Sequence, residues 1–323
     1  MKLFDVLQEK IKPAKKTIVF PEGKDPRIQG AAVRLLADGL LKPILIGKGE
    51  MLSEIARENG FDLTGIQTFD PDSFDEFDAL VTAFVERRKG KATEEEARIL
   101  LKDPNYFGTM LVYTGKADGM VSGAIGSTGD TVRPALQIVK TIPSVSRISG
   151  AMIMLGPNGE RYVFADIAIN IKLDAQQLAE VAVITAKTAQ LFDIDPKVAM
   201  LSFSTKGSAT SPEQELVAEA TKLAKEMAPD LLIDGELQFD AAIVPSVGER
   251  KSPGSPVAGH ANVFIFPDLQ SGNIGYKITQ RLGHFEAIGP ILQGLNAPIS
   301  DLSRGCNEED VYKLAIITAA QSL

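Results

Sequence analysis

The sequence predicts an α/β protein of two domains, and three observations carry that expectation. Short apolar runs at residues 17–20 and 43–47 alternate with helix-length segments, the spacing of a parallel sheet with crossover helices. The chain has 323 residues, more than one hydrophobic core usually serves. Near residues 143–150 the texture changes. Runs at 151–155 and 161–165 flank Asn158-Gly159 and read as an antiparallel hairpin, which points to a second domain.

Taken in order, residues 2–12 predict a short amphipathic helix and 17–20 a buried strand ending at Pro21-Glu22-Gly23. Asp25-Pro26 starts a helix running to about Gly39, with proline in its first turn. A strand at 43–47 and a helix at 51–59 follow. Residues 74–88 and 93–101 read as helices joined by the basic run Arg87-Arg88-Lys89-Gly90-Lys91, and 106–114 as another. The strand at 119–121 runs into a loop rich in glycine and hydroxyls, residues 122–134, entering a helix to about Lys140. Beyond the hairpin come a helix at 175–191 and a strand at 198–202. A Lys- and Ser-rich loop leads to Ser211, whose spacing to Gln214 is that of a capping box with Pro212 at the first helical position. Strands at 231–236 and 261–266, a loop at 253–260 and a helix at 273–282 precede the return through Pro290 and Pro298.

Composition excludes several classes. Hydrophobic residues are 44% and charged residues 24%, as in ordinary globular proteins. A net charge of -8 argues against nucleic-acid or anionic-membrane binding by the whole chain, while leaving room for local basic clefts. One cysteine permits no internal disulfide and fits a reducing cytoplasm. No secretory leader and no apolar run long enough to span a bilayer are read. Two histidines and one cysteine offer little for a zinc site.

Two stretches concentrate chemistry. Asp301-Leu302-Ser303-Arg304-Gly305-Cys306-Asn307-Glu308-Glu309-Asp310 packs a hydroxyl, a guanidinium, a thiol and several acids before an apolar helix. A buried Arg304 there is a fork for phosphate or a developing oxyanion. The structural alternative makes Asp310 part of a capping box with Asn307 and Arg304 a surface partner of Asp301. The loop at 122–134 offers backbone N–H groups suited to anions, but fits neither the dinucleotide fingerprint nor the P-loop pattern.

Six segments lie in a fixed order, the last of them inside the stretch 301–310: Leu201-Ser202-Phe203-Ser204-Thr205-Lys206-Gly207-Ser208, Asp234-Gly235-Glu236-Leu237-Gln238, Pro253-Gly254-Ser255-Pro256-Val257-Ala258-Gly259, Phe266-Pro267-Asp268-Leu269, Gly272-Asn273-Ile274 and Leu302-Ser303-Arg304-Gly305-Cys306. Together with Ser122-Gly123 and Asp130-Thr131-Val132-Arg133-Pro134-Ala135, they resemble the phosphate acetyltransferase (phosphotransacetylase) family in its short form, over nearly the whole chain. The resemblance implies reversible transfer of an acetyl group between CoA and inorganic phosphate. Coenzyme A is then a substrate, no cofactor is tightly bound and the chemistry requires no metal. The partners are CoA or acetyl-CoA, acetyl phosphate and phosphate, with no nucleic acid and no membrane. It implies a cytoplasmic homodimer joined through the second domain. It further implies two α/β domains with an interdomain cleft, similar to the isocitrate/isopropylmalate dehydrogenase-like fold: residues 1–145 with 298–323, and residues 146–297.

The family's catalytic arginine falls on Arg304, its adjacent serine on Ser303 and its aspartate on Asp310. Two more arginines fall on Arg133 and on Arg88, with Arg87 the alternative in that register. Ser122, Gly123, Thr131 and Lys206 complete the expected substrate and CoA contacts. Arg133 equally suits a brace to Asp130, and Lys206 a helix cap. Thiolate attack needs a base, since a thiol with pKa near about 8.5 is mostly protonated at neutral pH. The family assigns that base to Asp310 and transfers directly in a ternary complex, leaving Cys306 dispensable. Three rivals are a phosphate butyryltransferase, a non-catalytic acetyl-CoA sensor and a metal-dependent dehydrogenase.

Overall fold

The computed structural model describes residues 3–323; Lys2, first position of the expected N-terminal helix, lies outside them. The chain divides into two compact units, one running to Lys140 and resuming at Leu295, the other spanning Thr141–Gly294. The first stretch holds α1 (Leu3–Ile11), β1 (Thr17–Phe20), α2 (Pro26–Ala37), β2 (Lys42–Ile46), α3 (Gly49–Asn59) and β3 (Gln67–Phe69). It continues through α4 (Phe77–Arg88), α5 (Glu94–Leu100), α6 (Pro104–Tyr113), β4 (Gly119–Ser122) and α7 (Thr128–Pro134). A single wide helical turn, Ala135–Val139, closes it.

The second unit holds β5 (Ser149–Leu155), β6 (Arg161–Ala165), α8 (Ala175–Leu191), β7 (Lys197–Leu201), α9 (Pro212–Met227) and β8 (Leu232–Leu237). Then come α10 (Phe239–Ile243), α11 (Pro245–Lys251), β9 (Val263–Ile265), α12 (Leu269–Leu282) and β10 (Glu286–Gln293). The chain ends in the first unit with β11 (Ile299–Asp301) and α13 (Glu308–Gln321).

The first unit is a five-stranded, all-parallel sheet in the order β11-β4-β1-β2-β3. Ile18, Val19 and Phe20 on β1 are fully buried, the signature of a central strand covered on both faces by helices. Val19, Ile44, Ile46, Phe84, Phe107 and Met120 anchor one of its cores. Helix α13 packs against α1 and α2. It buries Val311, Tyr312 and all of Leu314 to Ala320, so its sequence shows only a weak apolar stripe.

The second unit is a six-stranded mixed sheet, order β10-β5-β6-β9-β7-β8. Strands β10, β5 and β6 pair antiparallel, and β6, β9, β7 and β8 run parallel. The expected hairpin is present, with Leu155 opposite Arg161. Several elements differ from the expectation. Residues 67–69 form edge strand β3, unread because Gln67 and Thr68 are exposed and give no apolar run. Helix α12 starts at Leu269, four positions earlier than expected, because Asp268 caps it by accepting from Ser271 N at 2.8 Å. The return through Pro290, given no element from sequence, contains strand β10, disguised by Gly289-Pro290 where the register shifts between Ile288 and Ile291. Helices α10 and α11 were likewise unread, being only five and seven residues long. Among the described residues no helix is long and apolar enough to cross a membrane.

Candidate active site

In the first unit the chain steps from β1 to β2 and β3 on one side, and places β4 and β11 on the other. The boundary between β1 and β4 is therefore the topological switch point, and the segments leaving β1, β4 and β11 gather at the carboxyl edge there. They are residues 21–25, 123–127 and 302–307.

The loop after β4 is held from within. Glu22, 8% exposed, accepts from Gly123 N at 2.9 Å and Ala124 N at 2.7 Å on Oε2. Its Oε1 accepts from Ile125 N at 2.9 Å and Gly126 N at 2.8 Å. The anion-binding character expected of this loop is present, but the anion is the protein's own carboxylate. Gly123 has φ +106°, and a Cβ there would lie 2.5 Å from Asp301 Oδ1 and 2.7 Å from Leu302 O. Only glycine permits that approach of the β4 loop to the β11 turn. Ser122 is fully buried and donates to Asn105 Oδ1 at 2.7 Å. Thr131 is also fully buried, and neither its hydroxyl oxygen nor Asp301 Oδ1 makes a well-formed hydrogen bond among the described residues. Burial, with help from Glu22 and Asp130, pushes the Asp301 carboxyl up; the nearby Thr128 and Thr131 hydroxyls oppose this.

Arg27 ties all three segments together. Its Nε donates to Asp25 Oδ1 at 2.9 Å and its Nη2 to Asp25 Oδ2 at 2.7 Å. Nη2 also donates to Ala124 O at 2.8 Å, and Nη1 to Arg304 O at 3.0 Å and Cys306 O at 2.8 Å. A guanidinium has five N–H donors, and here each meets an oxygen. Asp25 meanwhile caps α2 through Arg27 N at 2.9 Å. Burial pushes the Asp25 carboxyl up, but its bonds to Arg27 outweigh this and hold it below the usual carboxylate range.

The terminal turn differs from the expected buried fork. Arg304 is exposed, does not pair with Asp301, and its side chain has no hydrogen-bond or ionic partner among the described residues. Its main chain, by contrast, is clamped by Arg27. Ser303 is exposed and accepts from Gly305 N at 3.2 Å. Asp310 does complete the capping box: Oδ2 accepts from Asn307 N at 2.9 Å, and Asn307 Oδ1 accepts from Asp310 N at 2.9 Å. Its Oδ1 accepts no hydrogen bond among the described residues. Cys306 is 8% exposed. Burial pushes its thiol up, Asp310, Asp25 and Glu22 push the same way, and only Arg27 opposes them.

The other arginines separate cleanly. Arg87 is spent on structure: Nε donates to Ile138 O, Nη2 to Val139 O at 3.0 Å, and the guanidinium lies over the Tyr113 ring. Among the described residues Arg88 makes no such bond, and neither does the exposed Arg133, which does not brace Asp130. The Asp130 carboxylate instead accepts from Ser127 N at 2.9 Å. Both Arg88 and Arg133 lie close enough to Tyr106 to favour its ionised form, against burial that pushes its phenol up. Arg87, Lys89, Lys91 and Arg88 also depress the Lys140 ammonium, marking a basic patch on an acidic protein. Lys206 lies in the second unit. It is not a helix cap but pairs with Asp234 Oδ1 at 2.6 Å and donates to Gly235 O at 2.7 Å. Among the described residues no three His, Cys, Asp or Glu side chains gather as a metal site.

Sequence reasoning missed Glu22 and Arg27. The signal available was positional: a carboxylate directly after a central apolar strand, and an arginine two residues past a helix-capping Asp.

A parallel α/β sheet with an arginine left unpaired among the described residues at its switch point has the layout of proteins that handle anionic small molecules. Comparison with known proteins narrows the class. The family model described as Phosphate acetyl/butaryl transferase matches residues 2–319, and this chain belongs to that family of acyltransferases. It is 61% identical over 321 residues to the phosphate acetyltransferase of Bacillus subtilis (strain 168), covering 99% of each chain. A solved phosphotransacetylase from Streptococcus pyogenes superposes with TM-score 0.98 at 60% identity, covering 99% of this chain and 98% of that one. A putative 4-hydroxythreonine-4-phosphate dehydrogenase from Salmonella typhimurium, at 12% identity and TM-score 0.57, shares the fold alone. The dehydrogenase-like α/β fold expected from the sequence is thus the fold of this chain.

Proposed function

We propose that this protein interconverts acetyl-CoA and phosphate with CoA and acetyl phosphate, by direct attack of the CoA thiolate in a ternary complex. The observation that carries the reading is Arg304: an unpaired guanidinium on a turn whose backbone is fixed, at the switch point of a parallel sheet. A charge held ready but bound to nothing suits an anionic substrate better than it suits stability.

In the direction that consumes acetyl phosphate and forms acetyl-CoA, the CoA S–H gives its proton to Asp310. The capping bonds use only Oδ2 of that residue, leaving Oδ1 to accept. Sulfur then bonds the acetyl carbon as the carbon–oxygen bond to phosphate breaks, and phosphate leaves with the electron pair. Arg304 offsets the charge growing on the carbonyl and phosphate oxygens, and Ser303 adds a hydroxyl donor. Arg88 and Arg133, both unpaired, serve the other phosphates of CoA beside the basic patch. Ser122, Gly123 and Thr131 shape the loop that presents Arg133, and Lys206 acts through its tie to Asp234.

We further place the protein in the cytoplasm as a homodimer. Ile274, Ile278 and Leu282 on α12 are all more than half exposed and share one face at helical spacing, which supports association through the second unit.

The test is thioester formation, followed by absorbance, from CoA with acetyl phosphate or butyryl phosphate. Acetyl phosphate is expected to react faster. A clear butyryl preference overturns the acyl assignment, and CoA binding with no thioester formed overturns the enzyme reading in favour of a sensor.

A further inference from the structure

Glu22 lies outside the set of groups given a chemical role above, yet it is bound more thoroughly than any of them. Four consecutive backbone N–H groups, Gly123 to Gly126, converge on its two oxygens at 2.7 to 2.9 Å. Such a run of amides makes a nest that takes an anion. Here the anion is covalently part of the segment leaving β1, so it is always present and always in the same place.

The consequence reaches the reactive turn through one residue. Ala124 N is held by Glu22 Oε2 at 2.7 Å, while Ala124 O is held by Arg27 Nη2 at 2.8 Å. The same guanidinium holds Arg304 O and Cys306 O. On the other side of the loop, Gly123 lies tightly against Asp301 and Leu302, so any rise of the loop is felt at the start of the 302–307 turn. The order of support runs from the Glu22 carboxylate to the Ala124 peptide, to the Arg27 guanidinium, to the backbone beneath the Arg304 side chain.

We propose that Glu22 is a positioning residue: a built-in carboxylate that fills the anion nest of the Gly123–Gly126 loop and thereby sets where Arg304 stands. This rests on the acetyl-transfer reading for its activity readout. A nest built for an anion accepts a replacement from solution, so the proposal differs from a bland packing role in predicting chemical rescue. Glu22→Ala opens a cavity lined by four amides, and formate, a single carboxylate of the right charge, fits the vacated chemistry.

The experiment compares parent, Glu22→Ala and Glu22→Gln. Displacing a transition-state group by about 1 Å costs on the order of 100-fold in rate, so kcat of Glu22→Ala is expected to fall by about that factor with KM for CoA little changed. Added formate restores at least about tenfold of that kcat and raises the melting temperature of Glu22→Ala, while leaving the parent's unaffected. Glu22→Gln keeps the size but turns one acceptor into a donor facing two N–H groups; it is the second variant should Glu22→Ala not fold, and kcat is expected to fall in the same sense. Unchanged kcat in either folded variant overturns the proposal, as does a loss that appears in KM alone or that formate leaves untouched. If the parent forms no thioester, the acetyl-transfer reading fails, and the formate-dependent melting shift of Glu22→Ala still decides whether the nest takes a carboxylate.

Discussion

Replacing Arg304 by alanine separates catalysis from folding more sharply than any other change in this chain. The side chain is exposed and without hydrogen-bond or ionic partners among the described residues, so its loss should move stability by no more than about 0.5 kcal/mol. The turn itself stays in place, because Arg27 grips it through Arg304 O at 3.0 Å and Cys306 O at 2.8 Å, atoms that alanine retains. On the proposed role, what disappears is one charged donor at the developing charge, worth roughly 3 to 4 kcal/mol of barrier, or about 100- to 1000-fold in kcat. Denaturant unfolding gives the first number and initial rates of thioester formation give the second. Arg304→Lys restores a charge without the planar fork, and should recover only part of the loss. An unchanged kcat with raised KM would show that Arg304 binds the resting substrate only. A large loss of stability would show that the exposed side chain has a structural partner after all.

Other expectations follow from the same geometry. Asp310→Asn keeps an oxygen able to accept from Asn307 N, so α13 should stay capped while kcat falls; full activity would leave Asp310 as a cap alone. Burial and three acids push the Cys306 thiol up, away from the thiolate a nucleophile needs, so Cys306→Ala should keep substantial activity, and enzyme with acetyl phosphate should not exchange labelled phosphate until CoA is added. Burial raises the Asp234 carboxyl, but Lys206, Ser255 and Lys225 outweigh it and hold it at about 2 against a reference of 3.8. A depressed acid stabilises above its unfolded value and loses that as pH falls, so the parent should lose roughly 2 kcal/mol between about pH 5 and pH 2 that Asp234→Asn does not lose. Ile278→Asp should turn a dimer into a monomer by light scattering without loss of fold, since Ile278 is 53% exposed.

Much of the fold was legible because it is written in period and punctuation. Thr17–Phe20 and Ala175–Leu191 coincide with the expected strand and helix, the first as a buried apolar run, the second by its caps and length. What stayed hidden carried no local signal. Strand β3 is an edge with exposed Gln67 and Thr68, so it depends on pairing with β2 and not on its own composition. Strand β10 is broken by Gly289-Pro290, which reads as a turn unless the neighbouring β5 is known. In the site, Arg304 and Asp310 stood out because reactive side chains cluster along ten residues of sequence. Arg27 and Glu22 did not, because each acts on backbone atoms nearly a hundred or more positions away, and a partner that is a peptide group leaves no trace in composition.

The choice between Arg87 and Arg88 shows how the same reasoning works in reverse. In sequence they are adjacent and chemically identical. On α4 they point differently: Arg87 closes the open carbonyls of Ile138 and Val139 at the end of a helical turn, where a buried oxygen left unpaired costs about 1 to 3 kcal/mol. That duty removes Arg87 from the list of free cations. Arg88 has no such duty and faces the Tyr106 neighbourhood that Arg133 shares. Structure thus assigns roles by subtraction. A charge already satisfied by the protein stabilises it, and a charge left unsatisfied at the carboxyl edge of a parallel sheet is available to a substrate. By that criterion Arg27 and Arg87 serve the structure, while Arg88, Arg133 and Arg304, unpaired among the described residues, are the cations we propose for phosphate.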